Sequence, residues 1–434
     1  MSEPGIRREP LPTSGNDGPS DDRRAGACPP PPVPASATQG CRRRTSCPHP
    51  NPLPEGEGAL SSPPDPGPSP RPDLAGLGRT PHGSVSEAEL ARLGLRLSDV
   101  IDFSASCNPL GPSPRVRAAL GAVDVSRYPD DEAVELRREL GRRASLPTTQ
   151  VVVGNGSAEL IWLVCLAYLR PGDRALVLGP AFGEYARAVR VHGGKVVAVD
   201  AKASDCFAPP LDVASAALAR EVCRLAFVGS PNNPTGTYLT REQLEGLVER
   251  HPETLFVVDE AYRAFVDSPW PSEPLGSRPN VLLLRSLTKD YALAGLRLGY
   301  ALAAPEVVGA LRAVQPPWSV SAAAQAAGLA ALSDEAHLAA SQSEVRAAKR
   351  ELVESLGAIG CRVHPGAANA ILVEVGEGQA FREALLRWGV VVRDCASFGL
   401  PAHVRIGVRT RPECRRLVAA VAEVWRQGVV ADGR

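Results

Sequence analysis

Lys289 follows the apolar run Val281-Leu-Leu-Leu284 in the segment Arg285-Ser-Leu-Thr-Lys289, and Arg297 comes eight residues later within Ala294-Gly-Leu-Arg-Leu-Gly-Tyr300. A lysine at a strand end, under an apolar roof, can act as a nucleophile toward an aldehyde. Alone, such a lysine is more often a solvated charge. Its surroundings shift the balance. Thirty residues upstream, Leu255-Phe-Val-Val-Asp-Glu-Ala-Tyr262 reads as an apolar strand that delivers Asp259 into the interior. A buried carboxylate needs a cationic partner, and a protonated pyridine nitrogen would serve. The plainer reading is an aspartate that caps the next helix. Gly154-Asn-Gly-Ser-Ala-Glu159 supplies a third piece, a flexible loop of small residues opening a helix. Backbone N–H groups and the partial positive charge there suit a phosphate. Pro231-Asn-Asn-Pro-Thr-Gly236 is a fourth, a turn that presents an amide side chain rigidly. Each is weak by itself; the order in which they occur is not.

These residues need a scaffold that brings strand ends together. Short apolar runs at Val151–Val153, Ala175–Leu178, Val196–Val199, Leu225–Val228, Leu255–Val258 and Val281–Leu284 are each followed by Gly, Ser, Asp or Arg. Alternating with helical stretches, they predict an α/β fold with a mostly parallel sheet and ligand-binding groups at the carboxyl ends of its strands. Residues 129–140 are expected to form a helix from the spacing of Val134, Leu136 and Leu140, and residues 160–169 another. From Pro305 the chain reads as helical into the 340s, then as short strands near Ile371 and Val404 and a final helix. We therefore expect an extension over 1–75, an arm over 76–110, a large domain over 111–304 and a smaller α+β domain over 305–434.

The first 75 residues hold 19 of the 42 prolines and almost no large apolar side chains, so they are expected to stay disordered. The whole chain of 434 residues carries 48 basic and 48 acidic groups, a balance that argues against nucleic acid as the main partner. No apolar run is long enough for a membrane span, and the N-terminus lacks a secretory signal, so a cytoplasmic protein is expected. The 10 cysteines are scattered, without a Cys-x-x-Cys pair or a compact Cys/His cluster. Neither a disulfide framework nor a metal site is expected, and most of the thiols should be buried.

Taken in order, the phosphate loop, the Asn-Pro turn, Asp-x-x-Tyr, Ser-x-x-Lys and Arg resemble the fold-type I pyridoxal-phosphate enzymes, the aspartate-aminotransferase superfamily, from about residue 80 to the C-terminus. The resemblance implies a seven-stranded, mostly parallel sheet in the large domain and pyridoxal 5'-phosphate as cofactor. It makes Lys289 the Schiff-base lysine and proton carrier, and Asp259 the partner of the pyridine nitrogen. Tyr262 and Asn233 would bond the phenolic oxygen. Gly156, Ser157, Ser286 and Arg297 would hold the phosphate, with Ala158 contributing backbone, and Phe182 would stack on the ring. Tyr128 matches a tyrosine that reaches the neighbour's phosphate, which implies a homodimer with shared active sites. Arg405, in His403-Val-Arg-Ile-Gly-Val-Arg409, matches the arginine that forks onto a substrate carboxylate.

Two families within the superfamily share this layout, histidinol-phosphate aminotransferase and the threonine-phosphate decarboxylase of cobalamin synthesis. Three local features resemble the decarboxylase. Thr80-Pro-His-Gly83 precedes Ile101-Asp-Phe-Ser-Ala-Ser-Cys-Asn-Pro-Leu-Gly111, Pro317-Trp-Ser-Val320 stands where the aminotransferase usually has Pro-Tyr-Asn, and Val392-Arg-Asp-Cys-Ala-Ser-Phe398 includes a second anion-binding arginine, Arg393. The resemblance then implies decarboxylation of L-threonine O-3-phosphate, with His82, Asn108, Arg393 and Arg405 on the phosphorylated amino acid. Ser84 and the pair Ser106-Cys107 depart from the decarboxylase pattern. Transamination of histidinol phosphate is the alternative. An inactive dimer should lack Lys289, and a regulator built on this body needs a winged-helix domain that the proline-rich start does not suit.

Overall fold

The computed structural model describes residues 69, 71, 74, 76–83 and 85–428, so the extension expected over 1–75 and the departure at Ser84 lie, apart from residues 69, 71 and 74, outside the described residues. Strands Val151–Asn155 (β1), Arg174–Gly179 (β2), Lys195–Asp200 (β3), Leu225–Gly229 (β4), Leu255–Asp259 (β5), Val281–Ser286 (β6) and Leu298–Ala303 (β7) form one seven-stranded sheet, ordered β1-β7-β6-β5-β4-β2-β3. Strands β2 to β6 pair in parallel, while β7 runs antiparallel to both β1 and β6.

Alternation along the central strands separates two cores. Leu176, Ala226, Val228, Phe256, Val258 and Leu283 face one side of the sheet. Val177, Leu225, Phe227, Val257, Leu282 and Leu284 face the other. Helices cover both faces, which is why these strands read as continuous apolar runs. Truncating a fully buried leucine such as Leu283 to alanine costs about 2–5 kcal/mol, because both contact and volume are lost.

Six of the seven strands lie where the apolar runs predict them; β7 does not announce itself. Its sequence Leu-Gly-Tyr-Ala-Leu-Ala is poor in β-branched residues, and Gly299 weakens the pattern further. That glycine is required, since a Cβ there would collide with the backbone nitrogen of Ser157 on the neighbouring strand-to-helix turn. The helix expected from residue 129 begins at Val134 instead. Ala133 turns through φ +44° and the Asp130 carboxylate caps the N–H of Val134 at 2.7 Å, so residues 130–133 form the entry turn.

A second sheet of four strands, Arg362–His364 (β8), Ala370–Glu374 (β9), Arg393–Asp394 (β10) and His403–Gly407 (β11), has the order β10-β11-β9-β8 and is antiparallel throughout. Val404, Ile406, Ile371 and Val373 point into a third core with helices Glu335–Ala358 and Arg411–Arg426. His403 and Arg405 therefore project from the opposite face. Helices Pro305–Val314 and Ala322–Leu332 pack on the two cores of the large sheet, so packing passes to the third core between Leu332 and Val345 and not at residue 304.

The arm that precedes the large sheet is tied to the second one. Ile101–Asp102 pairs in parallel with Val390–Val391. Phe103 donates its N–H to Val391 O and accepts from Gly407 N, both at 2.7 Å. Helix Glu87–Arg92 is clamped through Glu89 by two 2.6 Å bonds from Arg382. Among the described residues no helix is long and apolar enough to cross a membrane.

Candidate active site

Strand β5 ends in Asp259, and β6 ends in Ser286 before a one-turn helix, Leu287–Asp290, that carries Lys289. Parallel pairing sets Asp259 level with Gly229 and Leu284. The result is a cleft of about 590 Å³, counting its open mouth, lined by Asp259, Lys289, Tyr262, Asn233, Ser157 and Arg297. Ala158, Phe182 and Ser286 line the same space. Nearly the whole expected cofactor set is thus brought together from five separate strand ends.

Asp259 is only 8% exposed. Its Oδ2 accepts the Tyr185 hydroxyl at 2.6 Å and its Oδ1 the Ala261 N–H at 2.9 Å, a local turn at the strand end; it does not cap the short helix Arg263–Phe265 that follows. Burial pushes its carboxyl above the usual range, opposed by those two hydrogen bonds and by the charge of Lys289. A buried acid in this condition gains most from a cation held against it, and a protonated ring nitrogen supplies one.

The phosphate end is built by close backbone approach. Gly156 has φ +78°, and a Cβ there would stand 2.7 Å from Nη2 of Arg297. Arg297 is itself left-handed at φ +56° and donates Nη1 to Ala294 O at 3.1 Å. Ser286 and Thr288 share a 2.6 Å hydrogen bond beside it. Two tight glycines, a helix start at Gly156 and an arginine over that turn make a cradle suited to a phosphate.

A wider cleft of about 1050 Å³, again with its mouth, continues from this one past Lys289 to His82, Arg393 and Arg405. Arg405 donates Nη1 to Asn233 Oδ1 and Nη2 to the carbonyl of Ser104, each at 2.5 Å, while its buried Nε has no partner among the described residues. Arg393 donates Nη2 to Ser397 Oγ at 2.7 Å and to Pro81 O at 2.9 Å, and lies over the ring of Phe398. His82 is 49% exposed in its side chain, yet docked: Nε2 is 3.2 Å from Glu184 Oε1 and the ring packs 5.5 Å from that of Phe182. The second oxygen of Glu184 accepts from Trp162 Nε1 at 3.2 Å.

Two expected side chains do not enter these clefts. Asn108 is buried, and it receives the expectation of substrate contact poorly: its N–H bonds Lys289 O at 2.7 Å, its Nδ2 bonds Asp290 O at 2.9 Å and its Oδ1 accepts from Leu110 N. It is a strut under the lysine loop. Tyr128 is 78% exposed and stacks on Trp318 with centroids 4.5 Å apart, away from the cleft of its own chain. Sequence reasoning overlooked Tyr185, Glu184 and Asp290. Tyr185 stands one helical turn after Phe182, which was the available signal. Asp290, next to the lysine, has its carboxyl pushed up by burial to about 7, with backbone N–H bonds opposing. Five of the seven described cysteines are buried, and none of the seven is in a disulfide.

Residues 98–421 match the model of the class I and II aminotransferase family. The histidinol-phosphate aminotransferase of Symbiobacterium thermophilum is 40% identical over 339 residues, covering 77% of this chain and 93% of that one. That of an Anaeromyxobacter species is 38% identical over 361 residues, 81% of this chain and 98% of its own. Among solved structures, histidinol-phosphate aminotransferase from Sinorhizobium meliloti in complex with pyridoxal-5'-phosphate superposes with TM-score 0.72 at 26% identity, covering 79% and 95% of the two chains. Aspartate aminotransferase from Thermus thermophilus with maleate gives 0.69 at 26% identity, covering 78% and 94%. These relatives lend no support to the leaning of three local motifs toward a decarboxylase.

Proposed function

Because the chain belongs to the class I and II aminotransferase family, we propose that it transfers the amino group of a phosphorylated amine, histidinol phosphate, to a 2-oxo acid such as 2-oxoglutarate. Its cofactor is pyridoxal phosphate. The observation that carries the reading is the placing of Lys289, Arg405 and Arg393 on one continuous cleft, in a chain 40% identical to a histidinol-phosphate aminotransferase across 93% of that enzyme's length.

When bound, the cofactor supplies an aldehyde and an electron-withdrawing ring. Lys289 would hold it covalently and would carry the proton lost from the substrate α-carbon. Asp259, fixed by Tyr185 and Ala261, holds positive charge at the ring nitrogen. The Gly156 turn, Ser157, Ser286 and Arg297 hold the phosphate end. Arg405 orients a carboxylate through its fork, for which the bond to Ser104 O has to loosen, and Arg393 and His82 offer charge and a donor to the substrate's phosphate. Phe182 packs beside the ring face and excludes water. The amide nitrogen of Asn233 remains for the phenolic oxygen, since its carbonyl is taken by Arg405. We place the exposed Tyr128 at the cleft of a second copy, in a cytoplasmic homodimer with shared sites.

A second reading keeps decarboxylation of L-threonine O-3-phosphate. The observation that favours it is His82, an arm residue, lining the same cleft as both arginines. Histidinol phosphate has no carboxylate to lose and threonine phosphate has one. The two readings therefore differ in whether Arg405 and Arg393 would hold an α-carboxylate for release as carbon dioxide or would meet only the phosphate of the amine and the carboxylates of the 2-oxo acid. One assay separates them: glutamate formed from histidinol phosphate and 2-oxoglutarate supports amino transfer, and carbon dioxide released from threonine phosphate without glutamate overturns it.

A further inference from the structure

On the second sheet, the face opposite the third core holds three groups that no part of the amino-transfer machinery uses. His403 on β11 stands directly across from Glu374 on β9. His364 on β8 pairs with Leu372, two residues before Glu374, and so emerges on the same face. One ligand atom from each of His364, Glu374 and His403 lies within 4.8 Å of the others. We infer that His364, Glu374 and His403 form a binding site for a transition-metal cation of the Zn²⁺ type, two imidazoles and a carboxylate with water in the fourth position.

The unpaired imidazole is the strongest sign. His403 is 6% exposed, yet neither of its ring nitrogens has a hydrogen-bond partner among the described residues, and Nε2 of His364 is also without one. A buried ring with both nitrogens unmet is unfavourable unless something occupies them. Phe207 walls the group from the side, its ring 5.1 Å from His364 and 5.8 Å from His403 by centroids. Such an apolar wall dries the site and strengthens a bond to a cation.

The donor set selects the ion. Two nitrogens and one oxygen suit Zn²⁺ and its neighbours better than Mg²⁺ or Ca²⁺, which prefer all-oxygen shells. Tetrahedral Zn²⁺ sets its ligand atoms about 3.4 Å apart, so the three must draw together by roughly an ångström. Rotation of the partly exposed His364 and Glu374 provides that movement. Arg362 is the competing charge: its Nη1 donates to Glu374 Oε2 at 2.9 Å, and one carboxylate oxygen remains for the cation. The site would cross-link β8, β9 and β11, the strand that also carries Arg405.

The test uses the full-length, cofactor-loaded protein, stripped with chelator and titrated with Zn²⁺ by calorimetry, with bound zinc counted by elemental analysis after dialysis. One equivalent per chain is expected. His364→Ala and Glu374→Gln, at partly exposed positions, should each weaken it by about 100-fold or more, while Cys206→Ser, which removes the one exposed thiol among the described residues, should leave it unchanged. His403→Gln serves as a third variant, accepted only if its melting curve matches the stripped wild type. No binding up to about 100 µM, or binding that survives both His364→Ala and Glu374→Gln, would overturn the site and leave a buried water as the partner of His403.

Discussion

The cofactor end and the substrate end of the cleft are made in different ways. At the cofactor end, Asp259, Ser286 and the Lys289 turn close off strands of a sheet packed on both faces, and their partners are set locally: Tyr185 and Ala261 on Asp259, Thr288 on Ser286. At the substrate end, the arginines come from the second sheet but are occupied by main-chain carbonyls of the arm, Ser104 for Arg405 and Pro81 for Arg393. One end is ready for its ligand, whereas the other must exchange internal hydrogen bonds for external ones. On the proposed assignment, a rigid strand end holds the cofactor and the arm sets what the two arginines can meet.

That contrast can be broken most sharply at Lys289. Lys289→Ala should lower kcat for amino transfer by about 10⁴-fold, measured as glutamate formed. Asp259→Asn, which leaves the shape but removes the charge, should lower kcat by roughly 10²- to 10³-fold with little change in KM. At the substrate end the balance reverses. Arg405→Lys keeps the charge but loses the fork, and should raise KM about 10- to 100-fold while kcat falls less. Equal losses in kcat from Asp259→Asn and Arg405→Lys would erase the distinction between the two ends. Glu184→Gln weakens the hold on His82 and should change KM for the phosphorylated substrate by only about threefold, an effect absent for an unphosphorylated amine.

The smallest effect is on stability. Burial raises the carboxyl of Asp290 to about 7, above its value of about 4 in the unfolded chain. The folded state therefore binds the extra proton. Its contribution is fully present below about pH 4 and is lost as pH rises through 7. Asp290→Asn should match the wild type in melting temperature at pH 4 and exceed it by about 2–4 °C at pH 8, by differential scanning calorimetry of both proteins at the two values.

Legibility in the sequence followed the same division. The parallel strands were readable because burial on both faces demands unbroken apolar runs, and the strand-end residues Asp259, Ser286 and Lys289 followed from them. Strand β7 was not, because the close approach of the Ser157 backbone forces a glycine into its middle. Asn108 is expected on the substrate only through the resemblance of residues 101–111 to the decarboxylase, and in sequence an amide there looks the same whether it faces a substrate or braces the lysine loop. The His364, Glu374 and His403 group was invisible for a different reason: its members lie 10 and 29 residues apart and meet only through the antiparallel register of β8, β9 and β11.

The central claim is that one amine, opposite one buried acid, holds the cofactor. Borohydride reduction of the cofactor-loaded protein, followed by peptide mass mapping, tests it directly. The account predicts a single pyridoxyl group on Lys289, retained at the same site in Asp259→Asn. A label on any other lysine, or none at all in protein that carries stoichiometric cofactor, would contradict it.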